Sequence, residues 1–436
     1  MSDDERDGER TSDGFGTRSV HAGQSPDPAT GAMAPPIYQT SSYVFEDADD
    51  AASRYALESE EFIYSRIANP TVQVLEDRLA SLEGGTGAVA TASGMAALDA
   101  ATLVLAKAGE NVVCSTDTYG GTTAYLDKTA TRRDIEARFV PTLEYDAYED
   151  AVDENTAFVH VETIGNPSLV TPDLERIAAI AHDNDVPLVV DNTFATPYLC
   201  NPIDHGADVV WNSTTKWIHG SGTTVGGVLV DGGSFPWEEG GYEEIAGRND
   251  AYHDTDFSRD FSDAPFAAAV RFRSLRSLGN QQSPFDAWQT LQGLESLPLR
   301  MQRHCENAAI VADYLDDHED VAWVTYPGLE DHPTHDDAST YLADYGGMIA
   351  FGLEGGYEAG KRLCEEVEIA QFLANIGDAK TLVIHPASTT HGQLTPAERE
   401  EAGVTEDLLR LSVGIEDPED ILADLENAIE TATREA

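Results

Sequence analysis

The 436-residue sequence predicts an α/β protein: a doubly wound, mostly parallel sheet followed by a smaller C-terminal α+β domain. Two observations predict it. From residue 70 onward, short apolar runs of strand length alternate with stretches whose apolar residues recur at helical spacing, the pattern of parallel strands joined by helical crossovers. Polar and ionisable residues (Ser93, Asp191 and Ser213–Lys216) then follow those apolar runs, at the strand ends where such sheets bind ligands.

The elements follow in order. Residues 1–14, polar and acidic, read as a disordered tail. Residues 15–68 carry turn formers (Gly31, Pro35-Pro36) and the aromatics Tyr38, Tyr43, Phe45, Phe62 and Tyr64 without periodicity. This is the signature of an extended arm whose aromatics need another surface, most simply a second subunit. Val72, Leu75, Leu79 and Leu82 predict a helix over Thr71–Leu82, stopped by Gly84-Gly85. Strands are expected at Ala88–Thr91, Asn111–Ser115, Thr156–Thr163, Pro187–Asp191 and Ala207–Trp211, and helices at Gly94–Ala106 and Asp173–Asn184. Residues 231–262 break the pattern; Gly-rich, acidic and aromatic, they suggest an insertion that is a lid, a surface excursion or an idle loop. From about residue 284 a long helical stretch (Leu291, Leu294, Leu297, Met301) leads into the smaller domain, with a strand at Gly346–Phe351 and a terminal helix from Pro418. The expected organisation is an arm at 15–68, an α/β domain at 69–283 and an α+β domain at 284–436.

Composition narrows the function classes. Asp and Glu number 79 against 26 Lys and Arg, a net charge of −53 spread along the chain. Nucleic acid and anionic membrane both require a basic face, so neither is an expected partner. Only five lysines occur. The excess of acid suggests a cytoplasm rich in salt, because at about 1 M salt the Debye length falls to about 3 Å and surface carboxylates stop repelling one another. Cys114, Cys200, Cys305 and Cys364 are widely spaced and suit reduced, packed thiols in the cytoplasm. No leader or membrane span is read.

The residues that carry chemistry begin with Lys216 in Ser213-Thr214-Thr215-Lys216, 25 residues after Asp191. An amine and a carboxylate at neighbouring strand ends suit pyridoxal phosphate, whose aldehyde the lysine holds and whose protonated pyridine nitrogen the aspartate pairs; a surface lysine and a strand-end aspartate fit the same spacing. Thr91-Ala92-Ser93-Gly94-Met95 is either a phosphate-binding helix start or a plain cap. Ser213 and Thr215 add hydroxyls. Tyr119, before Gly120-Gly121, can stack on a flat ring or act as acid or base, or is a turn residue. Arg66, beside Tyr64, is an anion ligand or a surface cation. Arg410, between leucines in Leu408–Gly414, grips a carboxylate with its planar fork or makes a structural salt bridge. His332, His335, His385 and His391 match no metal spacing, so no metal is expected.

Taken together, the runs YSRIANPT (Tyr64–Thr71), TASGM (Thr91–Met95), YGGT (Tyr119–Thr122), ETIGNP (Glu162–Pro167), VDNT (Val190–Thr193), STTK (Ser213–Lys216), HPASTTH (His385–His391) and RLSVGIE (Arg410–Glu416) resemble the transsulfuration family of pyridoxal-phosphate enzymes of cysteine and methionine metabolism. The resemblance spans residues 15–430 and implies the type I, aspartate-aminotransferase-like fold. By position it implies Lys216 on the cofactor aldehyde, Asp191 on the ring nitrogen and Tyr119 on the ring face. It places Ser93, Gly94, Met95, Ser213 and Thr215 at the phosphate and Asn166 at the ring hydroxyl. Tyr64 and Arg66 would reach a neighbouring subunit's cofactor, implying a homo-oligomer, a dimer or a tetramer of two active-site-sharing dimers. Arg410, with Asn375, would hold the substrate carboxylate; Asn375 stands where several relatives carry serine. Tyr119 or Tyr64 could also assist the leaving group. The run from His21 to Phe45 and the 231–262 segment are similar to the O-acetylhomoserine sulfhydrylase branch. The implied reaction is γ-replacement with sulfide or a small thiol such as methanethiol. The alternatives are cystathionine γ-synthase, an O-succinylhomoserine or O-acetylserine sulfhydrylase, a methionine γ-lyase (less so, since Gly121 replaces that group's cysteine) and a non-catalytic cofactor-binding protein.

Overall fold

In a seven-stranded sheet of order β1-β7-β6-β5-β4-β2-β3, the apolar runs become a central layer covered on both faces. The structure is a computed structural model that describes residues 13–59, 61–252, 254–390, 392, 395, 399 and 403–434. The expected tail at 1–14 thus lies almost wholly outside the described residues, as does His391. The strands are β1 Gly87–Thr91, β2 Asn111–Ser115, β3 Glu136–Val140, β4 Thr156–Glu162, β5 Leu188–Asp191, β6 Val209–Asn212 and β7 Gly227–Asp231. Strands β3, β2, β4, β5 and β6 pair in parallel, while β7 runs antiparallel between β6 and β1. Period-two alternation sends Leu188, Val190, Val210, Val228 and Val230 to one core, and Val189, Val209, Trp211 and Leu229 to the other.

The helices over this sheet end where their chemistry predicts. Pro70–Glu83 is capped by Asn69, which accepts from the Thr71 N–H, and stops at Gly84 with φ +77°, a left-handed turn suited to glycine. It packs one face of the sheet, and Gly94–Leu105 packs the other.

Four expectations are corrected. Strands β3 and β7 were not foreseen. The aromatics of the 231–262 segment are not surface residues: Phe235, Trp237, Tyr242, Tyr252 and Phe257 are buried in the core beside Trp211 and Phe266. The long helical stretch is two helices, Pro284–Leu294 and Leu297–Asp316, broken at Glu295-Ser296 ahead of Pro298. The arm holds helices at Phe15–His21 and Ala48–Tyr55. Arg78 fastens it by donating to Ala22 O at 3.0 Å and Gln24 Oε1 at 2.8 Å, while Met33, Ile37, Tyr38, Val44 and Tyr64 stay exposed.

The smaller sheet has the order β10-β11-β12-β9-β8, from β8 Val321–Thr325, β9 Met348–Leu353, β10 Gln371–Phe372, β11 Leu382–Ile384 and β12 Leu408–Ser412. Its central strand β12 sets Arg410 between Ala350 and Ile384. The helix Leu297–Asp316 joins both cores: Leu297, Met301 and Cys305 pack in the large one, Ala308, Val311 and Leu315 in the small one.

Candidate active site

The ends of β1, β5 and β6 converge on one edge of the large sheet. At β1, Ser93 caps the helix Gly94–Leu105, its Oγ accepting the Ala96 N–H at 3.1 Å. The N–H groups of Gly94 and Met95 therefore face outward with no acceptor inside the helix, at the end that favours an anion. A Cβ on Gly94 would lie 2.8 Å from Ser213 Cβ, so the missing side chain lets the helix start and the Ser213 turn close on one another. The Thr215 hydroxyl faces a third segment: it donates to Gly226 O at 3.2 Å and accepts the Gly226 N–H at 3.1 Å.

At β5, burial pushes the Asp191 carboxyl up to about 7. Asp191 Oδ1 accepts the Thr193 N–H at 2.9 Å and the Thr193 hydroxyl at 2.5 Å, and Thr193 Oγ1 accepts the Ser213 N–H at 2.8 Å. Thr193 thus ties the lysine turn to the aspartate. The sequence reading gave it no role, although its place two residues after an aspartate is a local signal for such a turn.

Lys216 Nζ donates to Asn375 Oδ1 at 2.5 Å, across from the smaller domain. Burial, reinforced by the nearby Arg410 charge, lowers the amine to about 8. Arg410 Nη1 donates to Asn166 Oδ1 at 3.3 Å, and its Nε is buried with no partner. Among the described residues no carboxylate pairs with this guanidinium, which argues against the structural salt bridge and for an anion brought by a ligand. Tyr119 is 48% exposed and lies over Gly121, where a Cβ would meet its ring at 2.3 Å.

Lys216, Asn375, Arg410 and Asn166 form one group, and Ser93, Gly94, Ser213 and Asp191 line the strand ends beside it. Tyr64 and Arg66 form a separate pair, the guanidinium 5.2 Å from the ring centre. Beneath the strand ends lies a second residue the sequence reading missed. Glu83, buried, accepts from Asn212 Nδ2 at 2.6 Å and from Asn192 Nδ2 at 3.2 Å, the residues next to Ser213 and Asp191. His385 is spent on Ser388 and on Glu406 O, and His335 on Pro327 O. Among the described residues no cluster of His, Cys, Asp and Glu is arranged to hold a metal.

Residues 16–430 match the family described as Cys/Met metabolism PLP-dependent enzyme. The chain belongs to that family. Pyridoxal phosphate is the family's cofactor, and the residues present suit it: a lysine amine lowered toward neutrality, a buried aspartate, and a helix start that a side chain at Gly94 would close. The chain is 48% identical over 425 residues to the homocysteine synthase of Schizosaccharomyces pombe, covering 97% of this chain and 99% of that one. It is 46% identical over 418 residues to O-acetyl-L-homoserine sulfhydrylase 1 of Thermus thermophilus, covering 95% and 99%. The structure superposes with TM-score 0.92 and 37% identity on a Campylobacter jejuni protein assigned as an O-acetylhomoserine (thiol)-lyase, covering 96% of this chain and all of that one. That crystal structure carries N'-pyridoxyl-lysine-5'-monophosphate, a lysine joined to the cofactor. No helix among the described residues is long and apolar enough to cross a membrane.

Proposed function

We propose that this protein catalyses γ-replacement on O-acetylhomoserine: acetate leaves Cγ, and sulfide or a small thiol such as methanethiol takes its place, giving homocysteine or methionine. The observation that carries the reading is the pairing of Lys216 with Arg410, each hydrogen-bonded to an asparagine and neither to a carboxylate. A base and an anion receptor side by side suit an α-amino acid. The names of the relatives at 46–48% identity supply the acyl-homoserine donor.

Bound pyridoxal phosphate supplies the electron sink that acidifies the protons at Cα and then Cβ of the substrate. The chain's residues do the rest. Lys216 Nζ would hold the cofactor's aldehyde and serve as the base for the Cα proton, with Asn375 positioning that amine. Arg410 binds the substrate carboxylate through two N–H donors. Asp191 keeps a proton on the ring nitrogen by pairing with it. Gly94, Met95, Ser93, Ser213 and Thr215 receive the phosphate, Asn166 the ring hydroxyl, and Tyr119 the ring face. Tyr64 and Arg66, apart from this group in their own chain, serve the site of a second subunit, which also covers the exposed residues of the arm. The same reading divides the chain into an arm (15–68), a cofactor domain (69–283) and a C-terminal domain (284–436), assembled as a tetramer of active-site-sharing dimers. It also sets the protein in a salt-rich cytoplasm.

The test is to supply purified protein and pyridoxal phosphate with O-acetylhomoserine, O-succinylhomoserine or O-acetylserine, plus sulfide, methanethiol or cysteine. Acetate release and homocysteine formation with the first donor and sulfide are expected. Preference for the succinyl ester with cysteine would make the protein a cystathionine γ-synthase instead.

A further inference from the structure

Glu162 is the last residue of β4, and nothing in the reaction above uses it. It stands in register with Asp191 on β5, so the two side chains project to the same face of the sheet about one strand spacing (~4.8 Å) apart. Both are buried. Glu162 Oε1 accepts two hydrogen bonds, from the Tyr119 backbone N–H at 2.6 Å and from the Thr118 hydroxyl at 2.9 Å. No cation pairs with it among the described residues; its charged neighbours are Asp191 and Asp117, and burial with Asp191 drives its carboxyl well above the ordinary range. A buried acid with acidic neighbours is costly, so the two bonds that Glu162 accepts are kept against that cost.

In the loop it holds, the Asp117 N–H donates to Thr142 Oγ1 at 3.0 Å and the Thr118 N–H to Thr116 O at 3.0 Å, while Tyr119 O accepts the Thr122 and Thr123 N–H groups of the helix that follows. Tyr119 sits between β2 and the short helix Gly120–Ala124, and its side chain is 48% exposed. Its ring has room only because Gly121 carries no side chain. The bonds to Glu162 tie the Tyr119 backbone to the end of β4, in register with Asp191 at the end of β5.

We propose that Glu162 is a positioning residue: it fixes Tyr119 over the cofactor ring while Asp191, beside it, engages the ring nitrogen. The proposal rests on the functional reading above, in which Tyr119 stacks on that ring. It predicts that the face and the nitrogen of the ring are located by two adjacent residues of one sheet edge.

Three substitutions separate the contributions. Glu162→Gln keeps an oxygen for both donors and drops the acidic group. Glu162→Met removes the acceptor at similar size, and Glu162→Asp keeps the carboxyl group but withdraws it by one methylene. Pyridoxal phosphate is titrated into each apoprotein, and the circular dichroism of the visible cofactor band, which reports the ring's chiral surroundings, is recorded with steady-state kinetics. The Met and Asp variants are expected to bind the cofactor roughly tenfold more weakly or worse, to show a reduced visible dichroic band, and to lose kcat more than they raise KM. Glu162→Gln should restore most of the band and the affinity. Combined with Tyr119→Ala, Glu162→Met should add little, since the backbone bond from residue 119 then has no ring left to position. Additive losses in that double variant, or an unchanged band in both the Met and Asp variants, overturn the proposal. So does failure of both to fold while the Gln variant folds, which assigns Glu162 to the fold. If the unmodified protein itself fails to bind pyridoxal phosphate or to turn over acyl-homoserine, the functional reading fails instead, a result visible before any variant is made.

Discussion

Replacing Arg410 by alanine removes a cation that the fold holds without a carboxylate. Among the described residues its one hydrogen bond is the 3.3 Å contact to Asn166, and its Nε is buried with no partner there. A structural ion pair broken in this way costs about 3–5 kcal/mol of stability. Here no ion pair breaks, and an uncompensated buried charge disappears. The expected Tm of the substrate-free Arg410→Ala protein is therefore equal to or above that of the parent. The loss should fall on substrate binding: a charged, hydrogen-bonded contact is worth about 1.5–3 kcal/mol, or roughly a ten- to hundredfold rise in KM for O-acetylhomoserine with a smaller change in kcat. Arg410→Lys keeps the charge but loses the planar fork, and should fall between the two. Thermal denaturation without substrate and initial rates of homocysteine formation measure both quantities. A variant that is several kcal/mol less stable, with KM unchanged, would refute the carboxylate assignment and restore a structural role.

Lys216→Ala should abolish both turnover and the visible absorbance of the lysine-bound cofactor; a borohydride-reduced adduct mapping to another lysine would contradict it. Gly94→Ala places a methyl 2.8 Å from Ser213 Cβ, and should cost about 1–3 kcal/mol in stability together with cofactor affinity, read by denaturation and by pyridoxal phosphate titration. Burial raises Glu83 from 4.5 to about 8, so the folded state holds a proton that the unfolded chain releases. Its stabilising contribution is complete below about pH 4.5 and is lost as pH rises to about 8, flat above that. Urea denaturation across that window should show a downward slope that Glu83→Gln lessens. With a net charge of −53, Tm and activity should rise from 50 mM to molar KCl; equal values at both would count against salt adaptation.

The parts of the fold legible in the sequence were those written as uninterrupted apolar runs. Leu188–Asp191 and Val209–Asn212 are buried on both faces, and their residues announce it. Strand β3 was hidden because it lies at the sheet edge, where Glu136 is exposed and only Val140 is buried. The aromatics of 231–262 were misread because their burial comes from packing on Trp211 and Phe266, distant in sequence, and leaves no period among glycines and acids. The site followed the same division. Residues marked by motif (Lys216, Asp191, Arg410) could be named from the chain. Thr193 carried a local signal two residues after Asp191, but its tie to Ser213, 20 positions on, did not show; Glu83 and Glu162 act through neighbours 43 to 129 positions away, which no local spacing reveals.

The choice of neighbours at the two cations gives the site its direction. A chain with 79 acidic residues has carboxylates to spare, yet Lys216 and Arg410 meet the amides Asn375 and Asn166. An amide satisfies a donor without cancelling its charge, so each cation keeps its field for an incoming anion. The cost shows on the lysine, which burial and the neighbouring guanidinium bring down to about 8. That same shift lets the amine shed its proton near neutral pH, as a base at Cα must. The acids Asp191 and Glu162 sit together at neighbouring strand ends, in register across β5 and β4. On the proposed reading the site is polarised, with Arg410 where the substrate carboxylate would arrive and carboxyls where the cofactor would carry its proton. A ligand bearing both charges is oriented before any bond changes.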